Sequence, residues 1–299
     1  MLVFMLISLL ITTLVIHFKR PRIAYVDRIE ERRIDKIHVP WEQFAQDESY
    51  IPVENLRDVE KGKRAYIIGS GPSIDSYSED IWDILKDDSN SIVIGLNQVH
   101  IRVPCDYLIQ KEKSFRMQTI DYCKKSGAKL VFSQYEYGSY TEDLSRREVE
   151  YPTDVDLYMF SHTTNMVDKP IDTRPITEKW QNYLGVSFST VTSAVSLAAL
   201  LGCSDCILLG CDMGTVDSGK TNMSGYRQFQ RLHENKGKKM SNSDEYAKWI
   251  NNKCLSQQLR DCIEACEKSY DMSVVWGHPY SSLKDMIENH SDNYITNLK

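Results

Sequence analysis

The segment Tyr66-Ile67-Ile68-Gly69-Ser70-Gly71-Pro72-Ser73 constrains this chain more than any other. A short apolar run stops abruptly at a Gly-Ser-Gly-Pro-Ser turn, and a helix-forming segment follows. Glycines let a backbone turn sharply and approach a ligand where a Cβ would clash. A helix opening beyond the turn directs its N–H groups and positive dipole end at the same place, which favours a phosphate. The expectation is an α/β protein with a nucleotide at the end of its first strand.

Two common phosphate loops are excluded. A P-loop needs Lys-Ser/Thr after its last glycine, and Ile74-Asp75 follows Ser73 here. A dinucleotide fingerprint needs a third glycine and an acidic residue closing the second strand. Ile74 stands at the third-glycine position, and the next apolar run, Ile92-Val93-Ile94-Gly95-Leu96, ends in the amides Asn97-Gln98. An amide pair can bond a base or a ribose.

Strand and helix signals alternate after the loop. Strands are expected at Ala65–Ile68, Ile92–Leu96, Tyr107–Gln110, Lys129–Phe132, Cys206–Gly210 and Met272–Trp276, with helices near Glu79–Leu85, Phe115–Lys125 and Asn251–Tyr270. This order predicts a parallel, doubly wound sheet. The run from Ser187 to Gly202 is small and apolar all round, the mark of a buried helix. Ser189 or Thr190 can cap its start and Gly202 can end it. Ligands of such sheets bind beyond the carboxyl ends of the strands. That edge brings together Gly69, Ser70, Gly71, Pro72 and Ser73 with Asn97, Gln98, Gln110, Ser189, Thr190 and Asp212.

Residues 135–185 lose periodicity and read as an insertion, and 215–250, polar and glycine-dotted, as a lid. The chain is expected to open with a membrane anchor over residues 1–18: the run Leu2–Phe18 is near the lower length limit for a spanning helix. Lys19-Arg20-Pro21-Arg22 follows it, placing the remainder in the cytoplasm. The charge-dense residues 19–61 read as a stalk, leaving 62–299 as the Rossmann-like domain. Asn222-Met223-Ser224 and Asn289-His290-Ser291 match the glycosylation sequon and would favour a lumenal location. The net charge of −6 disfavours a nucleic-acid partner.

The eight cysteines form no secreted-type framework. Cys203-x-x-Cys206 with Cys262-x-x-x-Cys266 resembles a zinc spacing, but Cys206 opens an apolar strand, where a thiol acts as a small hydrophobe. Asp154-Val155-Asp156 is a D-x-D triplet of the kind that holds a divalent metal, yet it follows Tyr151-Pro152-Thr153 rather than an apolar strand.

The order of these elements resembles a known group. Ile67-Ile68-Gly69-Ser70-Gly71-Pro72-Ser73, then Gly95-Leu96-Asn97-Gln98, a small-residue helix ending in glycine, and Ile207-Leu208-Leu209-Gly210-Cys211-Asp212-Met213 are similar to bacterial CMP-sialic acid-dependent sialyltransferases of the lipooligosaccharide type. Pro104-Cys105-Asp106-Tyr107-Leu108-Ile109-Gln110-Lys111-Glu112 comes closer to the related motility-associated (Maf-like) flagellin glycosyltransferases. The resemblance spans about Arg64 to Ile287. It implies a Rossmann-like domain of the GT-A variant type with a lid, transferring a sugar from a CMP-activated donor to a glycan or protein acceptor without metal or other cofactor. It implies nucleotide contacts from Ser70, Asn97, Ser189 and Thr190.

The chain departs from the family at two points. Cys254 stands where the sialyltransferases place a histidine base, and their phosphate-binding tyrosines have no ungapped match. His233 is then the candidate base, Tyr226 a phosphate ligand with Lys220 and Arg227, and Asp212 a group that orients the acceptor or assists as base. The expected partners are thus the sugar donor, its acceptor and a membrane reached through residues 2–18, with a homo-oligomer left open. A pterin diphosphokinase-like enzyme and an inactive nucleotide-binding relative are the alternative readings.

Overall fold

Ile67-Ile68, Ile92-Val93-Ile94 and Ile207-Leu208-Leu209 are β-branched or leucine-rich and apolar on successive residues, so both faces of each strand must be covered. In the computed structural model, which describes residues 51–111, 116–133, 155–161, 171–187, 189–212, 223 and 255–276, they lie at the centre of one sheet. The chain divides into two units, and the first, Met1–Gln46, lies outside these residues. The second, Asp47–Lys299, carries the sheet.

Its strands are β1 (Ile51–Pro52), β2 (Arg64–Ile68), β3 (Ser91–Leu96), β4 (Tyr107–Gln110), β5 (Lys129–Ser133), β6 (Leu157–Phe160), β7 (Asp205–Leu209) and β8 (Ser273–Trp276). The spatial order is β1-β6-β5-β4-β3-β2-β7-β8, with every neighbouring pair parallel. The chain runs outward from β2 in one direction, then returns to place β7 on its other side. The topological switch point, where such sheets open a crevice, therefore lies between the carboxyl ends of β2 and β7.

Five α-helices accompany the strands among the described residues: α1 (Asp80–Asp87), α2 (Arg116–Ser126), α3 (Arg174–Thr177), α4 (Thr190–Leu200) and α5 (Leu255–Tyr270). In α1, Ile81, Trp82 and Leu85 face inward while Asp83 and Lys86 face water, the amphipathic pattern of a covering helix. In α4 all ten residues from Val191 to Leu200 are buried, as expected of a helix between sheet and α5. Gly202, at φ +81°, ends it.

The start of the domain differs from expectation. Residues 51–61 are part of it rather than of a stalk. Val53 and Leu56 are core residues, and the N–H groups of Asp58, Glu60 and Gly62 donate to the carbonyls of Leu200, Leu201 and Gly202. Carbonyls at a helix C-terminus lack internal partners, and this charged segment supplies them. Five such buried or bonded positions scattered amid charges give no periodic signal.

The stretch 135–185 also differs. It contains β6, an interior strand between β1 and β5, whose four residues are too few to stand out from the tyrosines and charges around them. Asp156 lies just before β6 and its carbonyl accepts from Leu130 N–H at 3.1 Å. This is the amino end of the strand, whereas the crevice lies at the carboxyl ends. Asp154 lies outside the described residues, and Asp156 sits at the edge opposite the crevice. Among the described residues no helix is long and apolar enough to cross a membrane. The run Leu2–Phe18 and the proposed lid, except for Met223, lie outside them.

Candidate functional site at the switch point

The loop after β2 is built by close approach of two backbones. Gly69 N–H donates to Leu209 O at 2.7 Å and Gly71 N–H to Gly210 O at 2.8 Å, extending the β2–β7 pairing past the ends of both strands. A Cβ on Gly69 would lie 2.3 Å from Gly210 O, and one on Gly71 would lie 2.2 Å from Asp212 Oδ2. Both glycines are therefore required by the neighbouring β7 loop. The sequence reading had them making room for a ligand.

A second difference concerns the anion site. The loop runs into one five-residue 3-10 helix, Pro72–Ser76, and Pro72 has no N–H to offer. The next amide, Ser73 N–H, donates to Asp212 Oδ2 at 2.8 Å. Both residues are 3% exposed. A protein carboxylate thus holds the amide expected to meet a phosphate. Asp212 acts here as the acceptor that ties the β7 loop to the β2 loop.

What remains outward on the loop is Ser70, half-buried, whose carbonyl accepts from Met223 N–H at 2.9 Å. Met223 is itself buried, so one residue of the expected lid rests on the loop. Tyr77, just past the 3-10 helix, was not among the expected site residues. Burial first, and the nearby Asp212 carboxylate second, push its hydroxyl well above the ordinary tyrosine range, so it stays a neutral donor at any working pH. Its ring packs edge-on against Trp82 with centroids 5.4 Å apart. Arg102 ties this region to the β3 turn by ion pairs with Asp75 and Glu79.

At the end of β3, Asn97 adopts φ +54°, a left-handed conformation that asparagine tolerates better than most residues. Its N–H donates to Ile109 O at 3.1 Å, and its carbonyl lies 3.1 Å from His100 Nδ1. Burial holds the His100 imidazole below its ordinary pKa, partly opposed by that carbonyl; the neutral ring with Nδ1 protonated suits the contact. The amide pair is split by this turn, with Asn97 half-buried and Gln98 only 1% exposed.

The end of β4 carries two buried polar side chains. Gln110 is 1% exposed, and among the described residues neither its Oε1 nor its Nε2 has a hydrogen-bond partner. An unsatisfied buried polar group costs about 1–3 kcal/mol, so an amide with both ends unpaired is an unusual feature. Lys111, 2% exposed, donates from Nζ to Ser187 O at 2.7 Å. Nothing in its sequence setting marked it, since a lysine after a strand is normally solvated.

Ser187 connects this edge to α4. Its N–H donates to Thr192 Oγ1 at 3.0 Å, and its Oγ accepts from Ser189 N–H at 3.1 Å. Ser189 is the N-cap, its Oγ accepting from Val191 N–H at 3.3 Å, as its residue type suggests. Thr190 is half-buried at the first helical position.

The structure therefore brings Gly69–Ser73 and Asp212 into direct contact and sets Asn97, Gln98 and Gln110 on successive strand ends of the same edge. Ser189 and Thr190 join that edge through Ser187 and Lys111. His233, Tyr226, Lys220, Arg227 and Cys254 lie outside the described residues. Cys203, Cys206, Cys262 and Cys266 are buried, and the thiols of Cys203 and Cys206 are pushed upward by burial, which keeps them protonated. No group of three or more His, Cys, Asp or Glu among the described residues is arranged to hold a metal ion.

No protein-family model matches this chain, and no curated protein matches it in sequence. Among solved structures it is similar to the sialyltransferase CstII from Campylobacter jejuni, in complex with a substrate analogue, cytidine-5'-monophosphate. The TM-score is 0.44 at 14% identity, over 78% of this chain and 86% of that one.

Proposed function

We propose that this protein is a glycosyltransferase that moves a sugar, sialic acid or a relative, from a CMP-activated donor to a glycan or protein acceptor. The observation that carries the reading is the meeting of the Gly69–Ser73 loop with Asp212 at the switch point, on an edge where three further segments present polar residues. The kind of nucleotide is supported by the sequence resemblance in Ile67–Ser73, Gly95–Gln98 and Ile207–Met213.

In this reading the chemistry is direct displacement at the anomeric carbon. A base takes the acceptor hydroxyl proton while hydrogen-bond donors stabilise the departing phosphate. Asp212 fixes the loop through Ser73 and so shapes the nucleotide floor. Ser70, Asn97, Ser189 and Thr190 line the nucleotide site. His233 serves as the base, with Tyr226, Lys220 and Arg227 as donors to the phosphate. The apolar run Leu2–Phe18 anchors the enzyme to a membrane.

The test is a thermal-shift screen with CMP, CDP, UDP and GDP, followed by hydrolysis of CMP-sugars in EDTA. Stabilisation by CMP and EDTA-resistant turnover are expected. Absence of any shift with CMP sinks the reading, and turnover that requires Mg²⁺ and ATP points to the diphosphokinase-like chemistry. CMP binding without hydrolysis, indifferent to His233→Ala, marks an inactive relative.

A further inference from the structure

At the carboxyl edge both polar atoms of the Gln110 amide are buried with no hydrogen-bond partner among the described residues, and the Ser73 hydroxyl is likewise buried without one. Charged and capping side chains around it are engaged: Lys111 on Ser187, Asp212 on Ser73 N–H and Ser189 on the first turn of α4. Gln110 closes β4, with Phe132 of β5 opposite it in register, and the adjoining β3 end turns at Asn97, whose N–H is given to Ile109. Among the described residues no group bonds either end of the amide, so none selects which end is oxygen and which is nitrogen.

A primary amide offers one acceptor and two donors. Buried polar groups in folded proteins are almost always bonded, and each exception calls for a cause. Leaving this one unpaired costs stability in the free protein, and a ligand edge with a donor beside an acceptor removes that cost on binding. A site built to hydrogen-bond such an edge strongly rejects ligands that lack it.

We propose that Gln110 is a specificity-determining residue of the site, its amide held without a protein partner so that it pairs with a donor–acceptor edge of the bound nucleotide sugar. The assignment rests on the function proposed above. Two parts of one donor molecule carry that chemistry, the pyrimidine base and the amide- and hydroxyl-bearing sugar.

The test uses the full chain, with Gln110→Leu and Gln110→Met as variants. Binding of CMP-sialic acid, CMP and ribose 5-phosphate is measured by calorimetry, and the Tm of the ligand-free protein is measured alongside. The Tm is expected to stay level or rise, because an unpaired polar group has been removed. Affinity for CMP-sialic acid is expected to fall at least about tenfold, the loss of one good hydrogen-bonding contact, while ribose 5-phosphate binding is unchanged. An equal fall for CMP assigns the amide to the base; a fall confined to CMP-sialic acid assigns it to the sugar.

Wild-type affinities in both variants overturn the assignment while leaving the proposed function standing; a lowered Tm would then show that the amide holds an internal water. Parallel losses for all three ligands also overturn it, as the sign of a packing defect. Failure of the wild-type protein to bind any of the three overturns the proposed function and this assignment together.

Discussion

The backbone N–H of Ser73 and the carboxylate of Asp212 meet at 2.8 Å across the junction of β2 and β7. They are 139 residues apart in sequence, and both are buried. A hydrogen bond to a charged acceptor contributes about 1.5–3 kcal/mol, and this one closes the switch point. Asp212→Ala is expected to lower unfolding free energy by that amount in urea titrations and to weaken CMP binding. Asp212→Asn retains an acceptor and should cost less than half as much. Equal stability of the alanine variant and wild type would refute the role of this bond.

Gly69 and Gly71 test the same junction sterically. An added Cβ meets a backbone carbonyl at 2.3 Å in the first case, and the Asp212 carboxylate at 2.2 Å with Gly210 O at 2.5 Å in the second. Overpacking of this kind costs about 1–3 kcal/mol. Gly69→Ala is expected at or above the upper end. In a double-mutant cycle with Asp212→Ala, Gly71→Ala should be partly relieved, because one of its two obstacles is gone, whereas Gly69→Ala should show no such coupling.

The N-cap of α4 is accessible to a single substitution. Ser189→Ala removes the acceptor of Val191 N–H and is expected to cost about 0.5–2 kcal/mol. Ser189→Asp restores a cap acceptor and should recover most of the loss in chemical denaturation.

The lower edge of the sheet gives a pH dependence. Glu60 accepts from Tyr107 Oη at 2.6 Å and pairs with Lys63 at 2.9 Å. Burial alone would raise its pKa, but these partners outweigh it and hold the carboxyl below its ordinary value. The stabilisation is therefore complete above the unfolded pKa, about 4.3, and is lost as pH falls through the lower folded value. The gap in stability between wild type and Glu60→Gln should be widest at neutral pH and close in acid. A gap independent of pH would contradict the pairing.

Residues 51–61 supply the last check. Leu56 is 1% exposed, and Leu56→Ala is expected to destabilise the protein by about 2–5 kcal/mol. A surface stalk would give a change near zero.

The sequence alone specified the parallel α/β class, the central strands within a residue or so, the buried α4 with its Ser189 cap and Gly202 stop, and the polar edge as the place of interest. Those features are written in local periodicity, β-branched runs and turn chemistry, which neighbouring residues in the chain determine among themselves. Residues 51–61 and β6 were illegible because a two-residue strand, a four-residue strand and a few carbonyl-satisfying amides leave no period to detect. The tertiary structure alone decided that Gly69 and Gly71 make room for the β7 loop, that Asp212 holds Ser73, that Lys111 is buried and that the Gln110 amide finds no partner among the described residues. Each of these is a relation between strands brought side by side by the order of the sheet, and that order is set by packing rather than by any short stretch of residues.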